Sequence, residues 1–537
     1  MENSNTQQAI IQEIDYNTIS FLSPIISSYL NENPQLKSFY KYPVDVKAFG
    51  QVIADKSKQA IDRVLLVDVL KKQYQGEAIC QAVEANINLL QADTTFTITT
   101  AHQPNLFTGF LFSVYKIIGA INAAEQLKTA YPDNNFVPVY WIGSEDHDFE
   151  EINHVYLQGE KLAWQSHQTG AVGSMDVKAV QPLIEQVAAK LAGRPHTDEL
   201  ITLLKQAYSQ ATLAKANKQL LNALFGQYGL VILDQDDAQL KQLFVPQMKA
   251  ELQNGIVEKS VNPVIEQLKA LNYKVQASPR AINLFYLDEG MRERIVWNES
   301  ADKYEVLNSD LTFSSMALID LLESNPEKFS PNVFLRPVYQ ELVLPNLAYV
   351  GGGGELAYWL ELKVLFEHFD VNYPVLLLRN SVALIDKGTQ KKIDKLGLLP
   401  AQLFEEEDTL IKTYVVQNTD NKIDLSQEKE QIKQLFQLLV EKAKQIDPSL
   451  ENAVLSQMQG QLNALEGLEK KLMRAEKNNF ETAITQIKAI KQKLFPHGKP
   501  QERYENFMPF YAQNGAAWVQ ELKTNIHPFN KRFSFLA

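Results

Sequence analysis

The spacing of apolar and polar positions divides the chain into a sheet-forming stretch and a later helical one. Residues 1 to about 94 read as helical, interrupted at Asn33-Pro34 and Tyr42-Pro43. The β-branched run Thr95-Phe96-Thr97-Ile98-Thr99-Thr100 then predicts a strand. A polar turn, Ala101-His102-Gln103-Pro104-Asn105, leads into an apolar-periodic helix from about Gly109 to Leu127. Phe136-Val137-Pro138-Val139-Tyr140-Trp141-Ile142 reads as a second strand, with further strands at 229–234 and 373–379. Apolar runs without polar alternation belong in a parallel sheet covered on both faces. Strand, crossover helix and strand in this order predict an α/β fold with a Rossmann-like, doubly wound parallel sheet.

Two excursions, at about 155–225 and 274–330, read as insertions that wall a site. From about 386 the period becomes three and four: Ile432, Leu435, Leu439, then Leu465, Leu468, Leu472, then Ile484, Ile487, Ile490, Leu494. Asp447-Pro448-Ser449 separates two long helices, which predicts an antiparallel α-helical coiled-coil domain, with Glu466 and Lys470 as an exposed supporting pair. An aromatic-rich tail (Tyr504, Phe507, Phe510, Tyr511, Trp518) is expected to pack back on the body. The expected divisions are thus a core over 1–385, a helical arm over 386–500 and a tail over 501–537.

Composition narrows the function classes. The 537 residues carry 52 basic and 64 acidic side chains, a net charge of -12, which argues against extended nucleic-acid binding. No apolar stretch reaches the roughly 18 residues that span a bilayer, and Met1-Glu2-Asn3-Ser4-Asn5 does not open a signal segment. Cys80 is the one cysteine, so an internal disulfide is excluded; with no His or Lys beside it in sequence, it reads as a packing residue. A cytoplasmic protein acting on small molecules, without nucleic acid or membrane partners, is expected.

Ligands of open α/β sheets bind beyond the carboxyl ends of the strands, so the residues after each apolar run are the candidates. After the first come His102, Gln103 and Asn105, with Gly109 near the helix start; His102 or Gln103 would bond a phosphate or substrate oxygen, or the segment is an ordinary turn that Asn105 caps. After the second, five carboxylates and two histidines fall within ten residues, Glu145-Asp146-His147-Asp148-Phe149-Glu150-Glu151-Ile152-Asn153-His154. Zincin spacing is absent, and a general base or amine-binding role for His147, tuned by Asp146 or Asp148, is preferred to a metal site or a solvated loop. After the third, Asp234, Asp236 and Asp237 bind an amine or ribose, or Asp237 caps the helix from Ala238. The most distinctive segment runs from Arg336 through Tyr349 to Gly351-Gly352-Gly353-Gly354-Glu355. Glycines let a ligand approach the main chain at the N-terminus of a helix that reads from Glu355, or the run is a flexible linker; Arg336 suits a carboxylate, and Arg379 with Ser381 adds a cation and a hydroxyl.

Three stretches together resemble the bacillithiol biosynthesis family, specifically its cysteine-adding enzyme. They are His102-Gln103-Pro104 through Gly109 with Tyr115-Lys116; Trp141-Ile142 with Glu145-Asp146-His147-Asp148 and Ile152-Asn153-His154; and Arg336-Pro337 through Leu344-Pro345, Ala348-Tyr349-Val350-Gly351-Gly352 and Glu355-Leu356-Ala357-Tyr358-Trp359. Gly353 departs from the family's usual loop. The resemblance implies a core akin to nucleotidyl transferases and class I tRNA synthetases, with a coiled-coil arm that forms a homodimer. It implies a ligase that joins L-cysteine to the amino group of glucosaminyl-malate. No cofactor is expected to be held firmly, and ATP or ADP is the expected activator of the carboxyl. In this picture His147 is the base, oriented by Asp146 and Asp148; Arg336 or Lys116 pairs with malate carboxylates; and His102 and Gln103 stabilise charge on the transferring group. The competing readings are a non-catalytic nucleotide-binding scaffold and a metal-dependent hydrolase built on the acidic loop.

Overall fold

The computed structural model describes residues 10–421 and 423–536. The chain divides into two compact units, one formed by the chain up to Ala383 together with Gln501–Leu536, the other by Leu384–Pro500. The larger is built on a sheet of β1 (Thr95–His102), β2 (Asn135–Ile142), β3 (Val231–Asp234), β4 (Asn346–Gly351) and β5 (Val375–Leu378). Their order is β5-β4-β1-β2-β3 and every neighbouring pair is parallel. Chain direction across the sheet therefore reverses between β1 and β4, which opens a crevice at the carboxyl ends of those two strands.

The apolar runs are apolar because both faces are covered. α1 (Leu111–Ala130) is buried nearly all round and packs Ala120, Ala123, Ala124 and Leu127 on Phe96, Ile98, Leu347 and Val350 of the sheet. The helix Phe49–Lys56 adds Phe49 and Val52 to this layer. Burying each large aliphatic side chain there is worth about 1.5–3 kcal/mol. Where the strands carry polar residues, these satisfy one another: Asn346 Oδ1 accepts from the Thr97 and Thr99 hydroxyls at 3.2 and 2.8 Å. α2 (Ala238–Asn254) is capped by Asp237, which accepts the Gln239 and Leu240 N–H groups. α3 (Leu335–Val343) and α4 (Gly353–Trp359) flank β4.

Each excursion folds into elements of its own. The first opens with a hairpin, His154–Leu157 against Glu160–Ala163, and continues as helices Gln181–Leu191, Thr197–Ala207 and Leu213–Phe225. The second builds a separate antiparallel sheet, with Leu284–Asp288 paired to both Met291–Asn298 and Phe329–Pro331.

Three details depart from the sequence expectations. Ile10–Asp15 is a strand, paired antiparallel with Arg532–Leu536; its partner lies over 500 residues away, so no local signal marks it. α1 starts at Leu111 and not at Gly109, because Phe107, Thr108 and Gly109 all have positive φ (48°, 65° and 71°). This left-handed triplet is clamped by Tyr208, whose hydroxyl accepts the Phe107 N–H at 2.7 Å, and by Asn506, which donates to the Phe107 carbonyl at 2.9 Å. α4 begins at Gly353, two residues before Glu355.

In the smaller unit α5 (Ser426–Ile446) and α6 (Glu451–Asn479) form an antiparallel hairpin around Asp447-Pro448. Lys429–Glu469 at 2.7 Å and Lys444–Glu451 at 2.9 Å tie the two helices. Leu435, Leu438 and Leu468 remain 56%, 65% and 46% exposed.

Candidate active site

A cleft of ≈ 820 Å³ lies at the carboxyl ends of the parallel strands, and each of the five delivers a residue to it. His102 ends β1 and Gln103 follows it; Asp146 and His147 follow β2; Gln235 follows β3; Gly352 and Glu355 follow β4; Arg379 follows β5. Arg336 enters from α3, Arg280, Phe285, Arg292 and Arg294 from the second insertion, and Arg503 from the returning C-terminal segment.

The floor at the crevice is an ion pair. Lys116 Nζ, 1% exposed, donates to both Glu355 oxygens at 2.9 Å and to the Ala101 carbonyl at 2.5 Å. The Tyr349 hydroxyl and the Gly352 N–H complete the Glu355 carboxylate, at 2.6 and 2.8 Å. Burial alone would raise that carboxyl, but Lys116 and His102, with these hydrogen bonds, hold it at about 2. His102 is pushed the other way, down to about 4, by burial and then by the Lys116 charge. Its Nδ1 lies 2.8 Å from Asn105 Nδ2. The Gln103 carbonyl oxygen lies 3.3 Å from the same nitrogen.

The loop after β2 is the second centre. Gln103 Nε2 bridges Asp146 and Glu151, at 2.9 and 3.0 Å. Asp146 also accepts the backbone N–H of His147 at 2.8 Å and faces Arg292 at 3.4 Å. Burial opposes ionisation there, yet His147, Arg292 and Gln103 hold the Asp146 carboxyl well below the usual carboxylate range. Glu145 turns away from the cleft and is wholly buried against Lys241, whose ammonium burial disfavours but Glu145 and Asp236 keep charged.

The predicted residues thus separate by depth. His102, Gln103, Asp146, His147, Arg336, Tyr349, Gly352, Glu355 and Arg379 line the cleft. Asn105, Lys116, Glu145, Gly351 and Ser381 stand behind the wall: Gly351 ends β4, and the Ser381 hydroxyl donates to Glu502 at 3.1 Å. Asp148, Gly109 and His154 lie outside it. Asp148 caps the turn Phe149–Ile152; Gly109 sits in the left-handed triplet; and His154 packs on Phe110 and Tyr156. The α1 terminus does not face the cleft as an open anion site, because the Glu505 carbonyl accepts the Leu111 N–H at 2.8 Å. Lys116, the alternative to Arg336 for a carboxylate, is already neutralised by Glu355.

Sequence reasoning passed over Arg280, Arg292, Arg294 and Arg503, and over Glu151 and Gln235 as individual residues. One compositional signal was present. The chain has ten arginines among its 52 basic residues, and six of the ten line this cleft, whereas no lysine does. A planar, permanently charged fork is suited to carboxylates and phosphates. Arg336 and Arg503 have no carboxylate within ion-pair distance among the described residues, whereas Arg379 is paired with Glu502 at 2.7 Å.

Residues 10–380 match the family model described as bacillithiol biosynthesis BshC, N-terminal Rossmann-like domain, and residues 382–537 match its C-terminal coiled-coil domain. The chain belongs to the BshC family. Its relatives include proteins named "Putative cysteine ligase BshC" in Flavobacterium johnsoniae (42% identity, 97% of this chain and 99% of that one) and Flavobacterium psychrophilum (41%, 97% and 98%). The protein of that name in Christiangramia forsetii is 38% identical, over 97% and 98% of the two chains. The join between the two BshC family domains, at 380–382, falls beside the break between the compact units. No helix among the described residues is long and apolar enough to cross a membrane. Nor do three or more His, Cys, Asp or Glu side chains among them gather as a metal-binding group.

Proposed function

We propose that the protein is the bacillithiol ligase that joins the carboxyl of L-cysteine to the amino group of glucosaminyl-malate, forming an amide in the last step. The observation that carries this is the pairing of two unneutralised arginines, Arg336 and Arg503, with a carboxylate patch, Asp146 and Glu151 bridged by Gln103, in one cleft. Malate presents two carboxylates to the arginines, and the sugar amine is a cation that Asp146 and Glu151 receive.

A carboxylate and an amine do not condense unaided, so the cysteine carboxyl needs activation. We assign that role to a nucleotide, ATP or ADP. A cysteine carboxylate oxygen bonds to phosphorus as a phosphoanhydride P–O bond breaks, the electron pair leaving on the departing phosphate. The ammonium loses one proton to solvent, the free amine bonds to the carbonyl carbon, the C–O bond to the phosphoryl group breaks toward that oxygen, and the amine's surplus proton also passes to solvent. His102, which burial and Lys116 keep neutral at the cleft wall, is assigned to the oxygen that gains charge. The exposed leucines of α5 and α6 suit pairing with a second copy, which makes the working form a homodimer.

The test is metabolic. Deleting the gene should deplete bacillithiol while glucosaminyl-malate accumulates, and the wild-type gene should restore both where a folded Arg336→Ala variant does not. Unchanged bacillithiol in the deletion strain would overturn the reading.

A further inference from the structure

Behind His147 runs a buried polar chain that the chemistry above leaves unused. Glu145 accepts hydrogen bonds from Gln235 Nε2 and from the Ser330 hydroxyl, both at 2.9 Å. Ser330 Oγ accepts the Arg292 Nε–H at 3.1 Å, and the Pro331 carbonyl accepts Nη2 at 3.3 Å. The Phe285 ring lies 3.9 Å from the guanidinium carbon. Arg292 is 8% exposed. Held at Nε, at Nη2 and on one face, it aims Nη1 at two acceptors, His147 Nδ1 at 2.8 Å and Asp146 Oδ1 at 3.4 Å.

A guanidinium has donors only, so Nδ1 is the acceptor in this contact. A neutral imidazole with an accepting Nδ1 carries its proton on Nε2, and the half-exposed ring borders the cleft. A second proton, on Nδ1, would set an imidazolium against the guanidinium. Asp146 is the carboxylate nearest the pair; its Oδ1 is 3.5 Å from Nδ1 and already accepts the His147 backbone N–H. The other neighbours are uncharged Phe285 and, beyond Asp146, Gln103 with Glu151.

We infer that Arg292, fixed by Ser330 and Glu145, is a positioning residue that locks His147 as the Nε2–H tautomer, so that His147 donates a hydrogen bond to the activated carboxyl rather than accepting the proton of the attacking amine. The second half rests on the amide-forming reading; the tautomer does not. It also reverses the role of base that the sequence pattern suggested for His147.

Two measurements test it. Long-range 1H–15N spectra of the full-length protein labelled with 15N-histidine, with His147 assigned by loss of its signals in His147→Gln, should show protonated Nε2 and bare Nδ1 near pH 7. Arg292→Gln should let the tautomers mix. Protonated Nδ1 in the wild type would overturn the lock whatever reaction is catalysed. The second measurement is ligation by purified enzyme supplied with cysteine, glucosaminyl-malate and ATP. A glutamine amide can place N–H near the imidazole Nε2 but cannot act as a base. His147→Gln should therefore keep kcat within about tenfold of wild type, while His147→Ala loses about 100-fold or more. Arg292→Gln should lower kcat with both KM values little changed. Equal loss in His147→Gln and His147→Ala would sink the donor role. A wild type that makes no amide while showing the Nε2–H tautomer would sink the ligase reading and leave Arg292's role standing.

Discussion

Lys116 and Glu355 meet at 2.9 Å beneath the crevice between β1 and β4, joining the helix that follows one strand to the helix that follows the other. The pair explains why the lysine cannot serve a substrate and why the glutamate stays ionised.

Breaking the pair should cost far more than its surface counterparts. Glu355→Gln leaves a buried ammonium without its charge partner, and a loss of about 3–5 kcal/mol in urea unfolding is expected. The sign with pH follows from the lowered carboxyl. Its contribution is complete above the ordinary value of 4.5 and is lost as pH falls toward about 2. The acid-side slope of stability between those limits should therefore shrink in the variant.

Arg336 reaches the cleft with neutral partners only, Gln340 at 3.1 Å and Tyr358 at 3.4 Å. Arg336→Ala should raise KM for glucosaminyl-malate about 10- to 100-fold, the worth of a charge-assisted hydrogen bond of roughly 1.5–3 kcal/mol. Thermal unfolding should move little. Steady-state kinetics on the folded variant decides it.

The glycine run should respond unevenly. A Cβ on Gly351 would meet Leu356 Cδ1 at 2.6 Å and Tyr349 Cε1 at 2.9 Å, so Gly351→Ala is expected to cost about 1–3 kcal/mol. A Cβ on Gly354 meets nothing within 4 Å and sits in the first turn of α4. Gly354→Ala should gain roughly 0.5–1 kcal/mol yet weaken substrate binding, because Gly354 lines the cleft. Paired melting and KM measurements separate the two effects.

Asp234, at the end of β3, is pushed up to about 7 by burial. The folded state thus holds this proton more tightly than the unfolded chain, whose carboxyl titrates near 3.8. Stability from this group is full below that value and declines as pH rises toward 7, by of order 4 kcal/mol in all. Buried Glu361 and Glu341, both raised to about 7, act in the same direction. Asp234→Asn should flatten the decline, read as unfolding free energy at several pH values.

In the proposed homodimer the exposed hairpin leucines form the contact. Leu435→Glu with Leu438→Glu should reduce the mass in solution from twice 60.9 kDa to once that value, with far-UV circular dichroism unchanged. Sedimentation equilibrium measures it. A monomeric wild type would remove the premise.

How far the residues announced this arrangement depends on range. β1 was readable as a β-branched run and β2 as an unbroken apolar one, and the loops after them followed from the strand-end rule. The far wall was not. Arg292 sits in the strand Met291–Asn298 beside Glu293 and Arg294, and partners distant in sequence, Ser330 with Glu145 behind it, give it a direction. Arg503 was hidden in a tail read for its aromatics, and the left-handed triplet before α1 follows from contacts with Tyr208 and Asn506.

The body that holds the cleft is interrupted in sequence, since Arg503 and Glu502, the carboxylate that neutralises Arg379, belong to the segment after the arm. A ribosome making this protein therefore finishes every strand of the parallel sheet, and then more than a hundred further residues, before the pocket gains its last wall. Nascent chains halted within the arm carry Arg379 uncompensated, so premature release should yield fragments that bind no substrate, however well their sheet has formed.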